Sequence, residues 1–144
     1  MEIGQLKQLL VLSWNYETCS PGLKRNWNKK NPSLGQCAIT ALIVNDFFSG
    51  KIMRCMSSTG SHYYNLIDEE IVDLTKEQFL DEIPQYENSS ERTREYLLSN
   101  EDTKKRYLLL LKNIQQLIIK EENKICIDKK NTILKIRKLI WKYI

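Results

Sequence analysis

The spacing of hydrophobic positions changes several times along the chain, and each spacing predicts a different element. Residues 3–12 place Leu6, Leu9, Leu10 and Leu12 on one helical stripe. Residues 14–36 then lose all periodicity. They are polar, hold Trp14 and Trp27, and carry turn chemistry at Ser20-Pro21-Gly22 and at Asn31-Pro32-Ser33. A long irregular stretch in a compact domain is often a functional loop. Residues 36–48 are apolar on almost every side, which predicts a helix buried on almost every side, ended by Ser49-Gly50. Three strand-like pieces follow at 51–56, 61–66 and 71–74, joined by short polar turns. They predict an antiparallel meander packed on the buried helix.

From Thr75 onward the pattern is helical. Thr75 is a cap for a short helix through Phe79, and Ser89 or Ser90 a cap for one through Leu98. Ser99 opens a long helix to about Glu122, with Glu101 and Asp102 in its first turn and a stripe of Tyr107, Leu110, Leu111, Ile114, Leu117 and Ile118. A break is expected at 128–131. A last amphipathic helix over 132–143 then puts Ile133, Ile136, Leu139 and Ile140 on one face. The fold class is therefore α+β: a buried helix on a small antiparallel sheet, then a helical extension. Residues 1–88 form the core and residues 89–144 the extension, packed together as one structural unit.

Composition narrows the function. The 144 residues are ordinary for a globular chain, and no apolar run approaches the ~20 residues needed to span a bilayer. The apolar stretch near the N-terminus is short and lacks a small-residue cleavage site, so no signal peptide is read and a cytoplasmic location is expected. The four cysteines, Cys19, Cys37, Cys55 and Cys126, contain no C-x-x-C spacing, and there is one histidine. No metal or other cofactor is expected, and the thiols read as free. Residues 1–119 carry 14 basic and 15 acidic side chains, whereas residues 120–144 carry 8 and 3. The basic character thus belongs to the tail. Its apolar stripe favours packing within the chain or a homodimer through the C-terminal helices over nucleic-acid contact.

The candidate chemistry starts at Cys37, the first residues of the buried helix, where free amides and the helix dipole favour a thiolate. The plain alternative is a core cysteine, since Cys37 shares a helical face with Ala41, Val44 and Phe48. His62, on a predicted strand, is the only imidazole that could serve that thiol as a base. A two-residue turn at either Ile67-Asp68 or Asp68-Glu69 places Asp73 on the same sheet face as His62, roughly 5 to 8 Å away at Cβ. Asp73 is then the residue that orients the ring, or else an acid ahead of the Thr75 helix. Asn65 has the wrong parity to share that face. Gln36 and Asn31 are candidates for an oxyanion hole, and Trp14 and Trp27 for the walls of a cleft or simply for the core.

At these residues a family resemblance enters. Trp14, Thr18 and Trp27 precede the run Asn31 to Leu42; then come His62-Tyr63-Tyr64-Asn65, Val72-Asp73-Leu74-Thr75, Gln78-Phe79 and the run Leu98 to Tyr107. This resembles the YunG-like family of small bacterial proteins over about residues 10–115. Tyr64 stands where that family suggests tryptophan, and Glu69 where it suggests glycine. More widely, a cysteine on a helix followed by a histidine and an aspartate on strands is similar to papain-like and transglutaminase-like enzymes. That likeness implies a papain-like core and a cysteine-dependent hydrolase or acyl transferase. Its substrate would be an amide or thioester, such as a peptide or protein amide. The other function carried forward is a non-catalytic binding domain that uses the long helix and the basic tail as its surface.

Overall fold

The computed structural model describes residues 1–122 and 130–143. Helix α1 (Ile3–Ser13) leads through a long loop, with one 3₁₀ turn at Pro21–Asn26, into α2 (Cys37–Phe48). Strands β1 (Lys51–Ser57), β2 (Gly60–Ile67) and β3 (Glu70–Val72) follow. Two 3₁₀ turns, Lys76–Phe79 and Tyr86–Asn88, lead to β4 (Ser90–Arg92). Three helices complete the chain: α3 (Arg94–Leu98), α4 (Glu101–Glu122) and α5 (Lys130–Tyr143). The architecture is α+β, with one antiparallel sheet in the order β3-β2-β1-β4. No described helix is long and apolar enough to cross a membrane.

Helix α2 is the centre of the core, and its sequence explains why. Ile39, Leu42, Ile43 and Val44 are completely buried because an all-round apolar helix has no face to give to water. Helix α1 lays Leu6, Leu9 and Leu10 into the same core, and α4 adds Tyr107, Leu110, Leu111, Ile114 and Ile118. Ile133 and Ile136 of α5 close it. Arg94 fastens these layers through a partly buried ion pair: its Nη2 lies 2.8 Å from Asp46 Oδ1 at the end of α2. The Tyr107 hydroxyl donates to the other oxygen of the same carboxylate at 2.5 Å.

Three sequence expectations are corrected here. The segment after Ser89 begins with a strand, and the short helix starts later, where Thr93 Oγ1 accepts from the Tyr96 amide at 3.1 Å. Ser90-Glu91-Arg92 shows no apolar alternation because it is a charged edge strand that buries neither face, so periodicity cannot reveal it. The cap of α4 is Asn100, whose Oδ1 accepts from the Thr103 amide at 2.9 Å; Ser99 ends α3 instead. Lys130 and Asn131 already belong to α5, while the rest of the expected break, and Cys126, lie outside the described residues.

The β2–β3 turn decides what faces what. Ile67 pairs with Glu70, so the turn is Asp68-Glu69, both left-handed with φ of 50° and 63°. Two successive positive φ values make the I′ type of hairpin turn, the geometry for which glycine is the usual second residue. Asn65 pairs with Val72 in this register, which carries Asp73 to a position diagonal to His62.

Candidate functional site

The strand alternation of β2 sends Tyr63 and Asn65 towards α2 and His62 and Tyr64 to the opposite face. Asn65 Nδ2 donates to the Ala41 carbonyl of α2 at 2.9 Å, so it ties sheet to helix and takes no part on the histidine side. His62 is 0% exposed. Its Nε2 lies 2.5 Å from Asp73 Oδ2, and the Phe79 ring meets its edge with centroids 4.7 Å apart.

Asp73 is held by every donor around it. Tyr86 donates its hydroxyl to Oδ2 at 2.7 Å, and Thr75 donates its amide and hydroxyl to Oδ1 at 3.0 and 3.2 Å. Oδ2 thus faces the His62 ring, and Oδ1 the start of the Thr75 turn. Burial pushes this carboxyl up, but the His62 hydrogen bond and charge, with the Tyr86 and Thr75 donors, outweigh it and hold the carboxyl below its usual range.

Cys37 comes from the other face of the sheet. Strand β3 pairs only with Asn65 to Ile67 of β2, so the β3-side edge of β2 at His62 carries no neighbouring strand. The half-buried Cys37 thiol comes close enough to act on the ring. Burial pushes the His62 imidazole down; hydrogen bonding and charge from Asp73 and from Cys37 overcome this and raise it to about 9. Since Nε2 is committed to Asp73, the nitrogen left for Cys37 is Nδ1. It is buried and makes no hydrogen bond of regular geometry among the described residues. Burial pushes both the Cys19 and the Cys55 thiol up to about 11, which keeps them protonated.

The loop before Cys37 is pinned by residues that periodicity does not reveal. Gln78 accepts from the Gly35 amide through Oε1 at 3.3 Å and donates through Nε2 to the Thr75 carbonyl at 3.0 Å. Asn31 Nδ2 donates to the Gln78 carbonyl at 3.1 Å, which makes Asn31 a fastener of this loop. Gly35 has φ +71°, and a Cβ there would sit 2.6 Å from Cys19 Sγ, so only glycine fits. The turn that carries the partners of Asp73 and the loop that carries Cys37 are thus one hydrogen-bonded unit. Gln78, Thr75 and Tyr86 were not expected in the site. The first two lie in the segments that carry the family resemblance, whereas nothing in the pattern around Tyr86 signals its contact.

The remaining sequence candidates lie elsewhere. Gln36 is fully buried and donates through Nε2 to the Asn15 carbonyl at 3.1 Å, so its amide is engaged away from an oxyanion position. Trp14 is a core residue whose Nε1 donates to Thr40 Oγ1 at 3.1 Å. Trp27 is half-buried and bonds within its own loop, to the Pro32 carbonyl at 3.0 Å. The donors that do face the start of α2 are backbone ones. No side chain caps this helix, and its first internal bond runs from the Thr40 amide to the Gln36 carbonyl at 3.0 Å. The amides of Cys37, Ala38 and Ile39 come before that bond, as donors for a negative oxygen. Among the described residues no group of three or more histidines, cysteines or acids is placed to hold a metal ion.

Comparison with known proteins agrees with the resemblance to the YunG-like family. The model of the YunG protein family matches residues 2–118. The uncharacterized protein YunG of Bacillus subtilis (strain 168) is similar at 34% identity over 97 residues, covering 67% of this chain and 80% of the relative. No solved structure gives a significant match.

Proposed function

The chain belongs to the YunG protein family, and from the ring that Asp73 and Cys37 share we propose a cysteine-dependent hydrolase or acyl transferase acting on an amide or thioester. The observation that carries this reading is a single imidazole, wholly buried, with a carboxylate on one nitrogen and the half-buried Cys37 thiol close enough to act on the ring. The order helix cysteine, strand histidine, aspartate is also that of papain-like and transglutaminase-like enzymes, which supports it further. Three free thiols, Cys19, Cys37 and Cys55, suit a reducing, cytoplasmic setting.

In this mechanism Cys37 Sγ attacks the carbonyl carbon, and the new oxyanion rests against the first amides of α2. His62 gives its proton to the leaving amine or thiol as the C–N or C–S bond breaks. Water or an acceptor amine then attacks the thioester, loses a proton to His62 and frees the Cys37 thiolate. Asp73 stays ionised throughout and holds the ring in place.

Alkylation tests the reading without a known substrate. In the folded protein at pH 7, iodoacetamide is expected to modify Cys37 at least about tenfold faster than Cys19 or Cys55, and His62→Ala to slow Cys37 by a similar factor. Peptide mapping by mass spectrometry gives the rates residue by residue. A Cys37 that reacts no faster than the other two, or that ignores the loss of His62, contradicts the proposal and leaves a binding domain as the better account.

A further inference from the structure

Beside the cysteine, on the α2 side of the sheet, lies a groove of about 370 Å³. Ala38 and Tyr63 wall the end nearest the site; they directly follow Cys37 and His62 in the chain. Tyr63 also lies close enough to Cys37 to feel its charge. Tyr96 and Leu97 of α3 give an apolar part of the lining, and Ser99 at the end of α3 with Asn100 and Thr103 at the start of α4 gives a polar flank.

The lining is chemically mixed and wholly uncharged. Two phenol rings and a leucine offer apolar area, while hydroxyls and a carboxamide offer hydrogen bonds. Asn100 spends its oxygen on the cap of α4, so the NH₂ is what it has to offer a ligand. The lining itself carries no charge to hold a phosphate or a carboxylate, and the Arg92 guanidinium is stacked over the Tyr96 ring at 5.4 Å. No lysine or arginine lines the groove, and the first turn of α4 next to it carries Glu101 and Asp102. Ser99 donates its hydroxyl to the Tyr96 carbonyl at 2.7 Å and Thr103 accepts from Arg106 Nη2 at 3.4 Å, so a purely hydrocarbon chain would leave the Asn100 NH₂ and the remaining hydrogen-bonding capacity of both hydroxyls unused. A neutral peptide matches both halves, with its amides on the polar flank and its side chains on the rings. The volume lies within the roughly 300–1,000 Å³ of ordinary ligand pockets.

We propose that this groove seats a short, uncharged peptide segment whose carbonyl is presented to Cys37, which makes the substrate a peptide or protein amide. The inference rests on the cysteine reading above. Its test compares two reagents of the same chemistry, in which the thiolate displaces chloride and a C–S bond replaces C–Cl. One is chloroacetone; the other is acetyl-Ala-Ala-Phe chloromethyl ketone. The peptide reagent is expected to modify Cys37 at least 100-fold faster than chloroacetone. The ratio of the two rates is expected to fall at least tenfold in Tyr96→Ala, which removes a half-exposed ring, and in Thr103→Trp, which fills the groove. Replacing both alanines of the reagent with glutamate is expected to cancel most of the advantage. A ratio near one in the unmodified protein, or a ratio that neither substitution changes, overturns the groove assignment and leaves Cys37 as the nucleophile. Failure of Cys37 to react selectively even with chloroacetone overturns the cysteine reading, and the groove assignment with it.

Discussion

Replacing Asp73 with alanine is expected to lower the unfolding free energy at pH 7 by about 3–5 kcal/mol, the scale for removing one partner of a buried pair. The carboxylate accepts from His62, Tyr86 and both donors of Thr75, so its loss strands four donors on three residues. His62 is entirely out of water and can escape part of the cost by giving up its proton. Tyr86 and the Thr75 amide have no such escape and keep the desolvation penalty. The damage also spreads towards Cys37, since Gln78 joins the Thr75 carbonyl to Gly35. Urea unfolding compares the two proteins. A loss below about 1 kcal/mol, the range of an exposed pair, would mean that the carboxylate is not buried among these donors.

The second large effect is a fall in stability on the alkaline side. His62 rises from an ordinary 6.5 to about 9 in the folded protein. Between those values the folded state holds a proton that the unfolded state has lost, so stability must drop as pH rises through that window. It is fully present below about 6.5, and the shift bounds the loss at about 3 kcal/mol. Cys19 and Cys55 extend the decline further, because burial raises each thiol from 9.0 to about 11. Asp73 acts at the other end: its lowered value supplies stability above the ordinary carboxylate range that is lost as pH falls. Unfolding midpoints of a Cys37→Ser variant, in which no neighbouring thiolate can offset the proton held by the ring, should therefore fall as pH rises above 6.5. A flat profile in that variant would contradict the buried His62–Asp73 ion pair.

The hydrophobic pattern made much of this legible. A helix without a polar face has to be central, and α2 is; the stripe on α4 meets it along Tyr107, Leu110, Leu111, Ile114 and Ile118. The period of two in the strands puts Asp73 on the face of His62 for either two-residue turn, and the structure takes Asp68-Glu69, which makes the two residues diagonal neighbours. What escaped has a common cause. Strand β4 is held by backbone bonds at an edge, and its side chains carry no record of it. Tyr86, Gln78 and Thr75 reach the site by side-chain hydrogen bonds between loops, which have no period to read. Gln36 shows the converse: it sits next to Cys37 in sequence, yet its side chain turns to Asn15.

The central claim is that Asp73 and Cys37 share one imidazole, and the chain contains a single histidine with which to test it. Following the ¹⁵N resonances of His62 by NMR across pH 5 to pH 10.5 reads its protonation with no competing ring. The account predicts an imidazolium that persists past pH 7.5 and titrates near 9, and an earlier titration in both Cys37→Ser and Asp73→Asn. A ring that titrates at or below 6.5, or whose titration does not move when Cys37 is replaced, would contradict it.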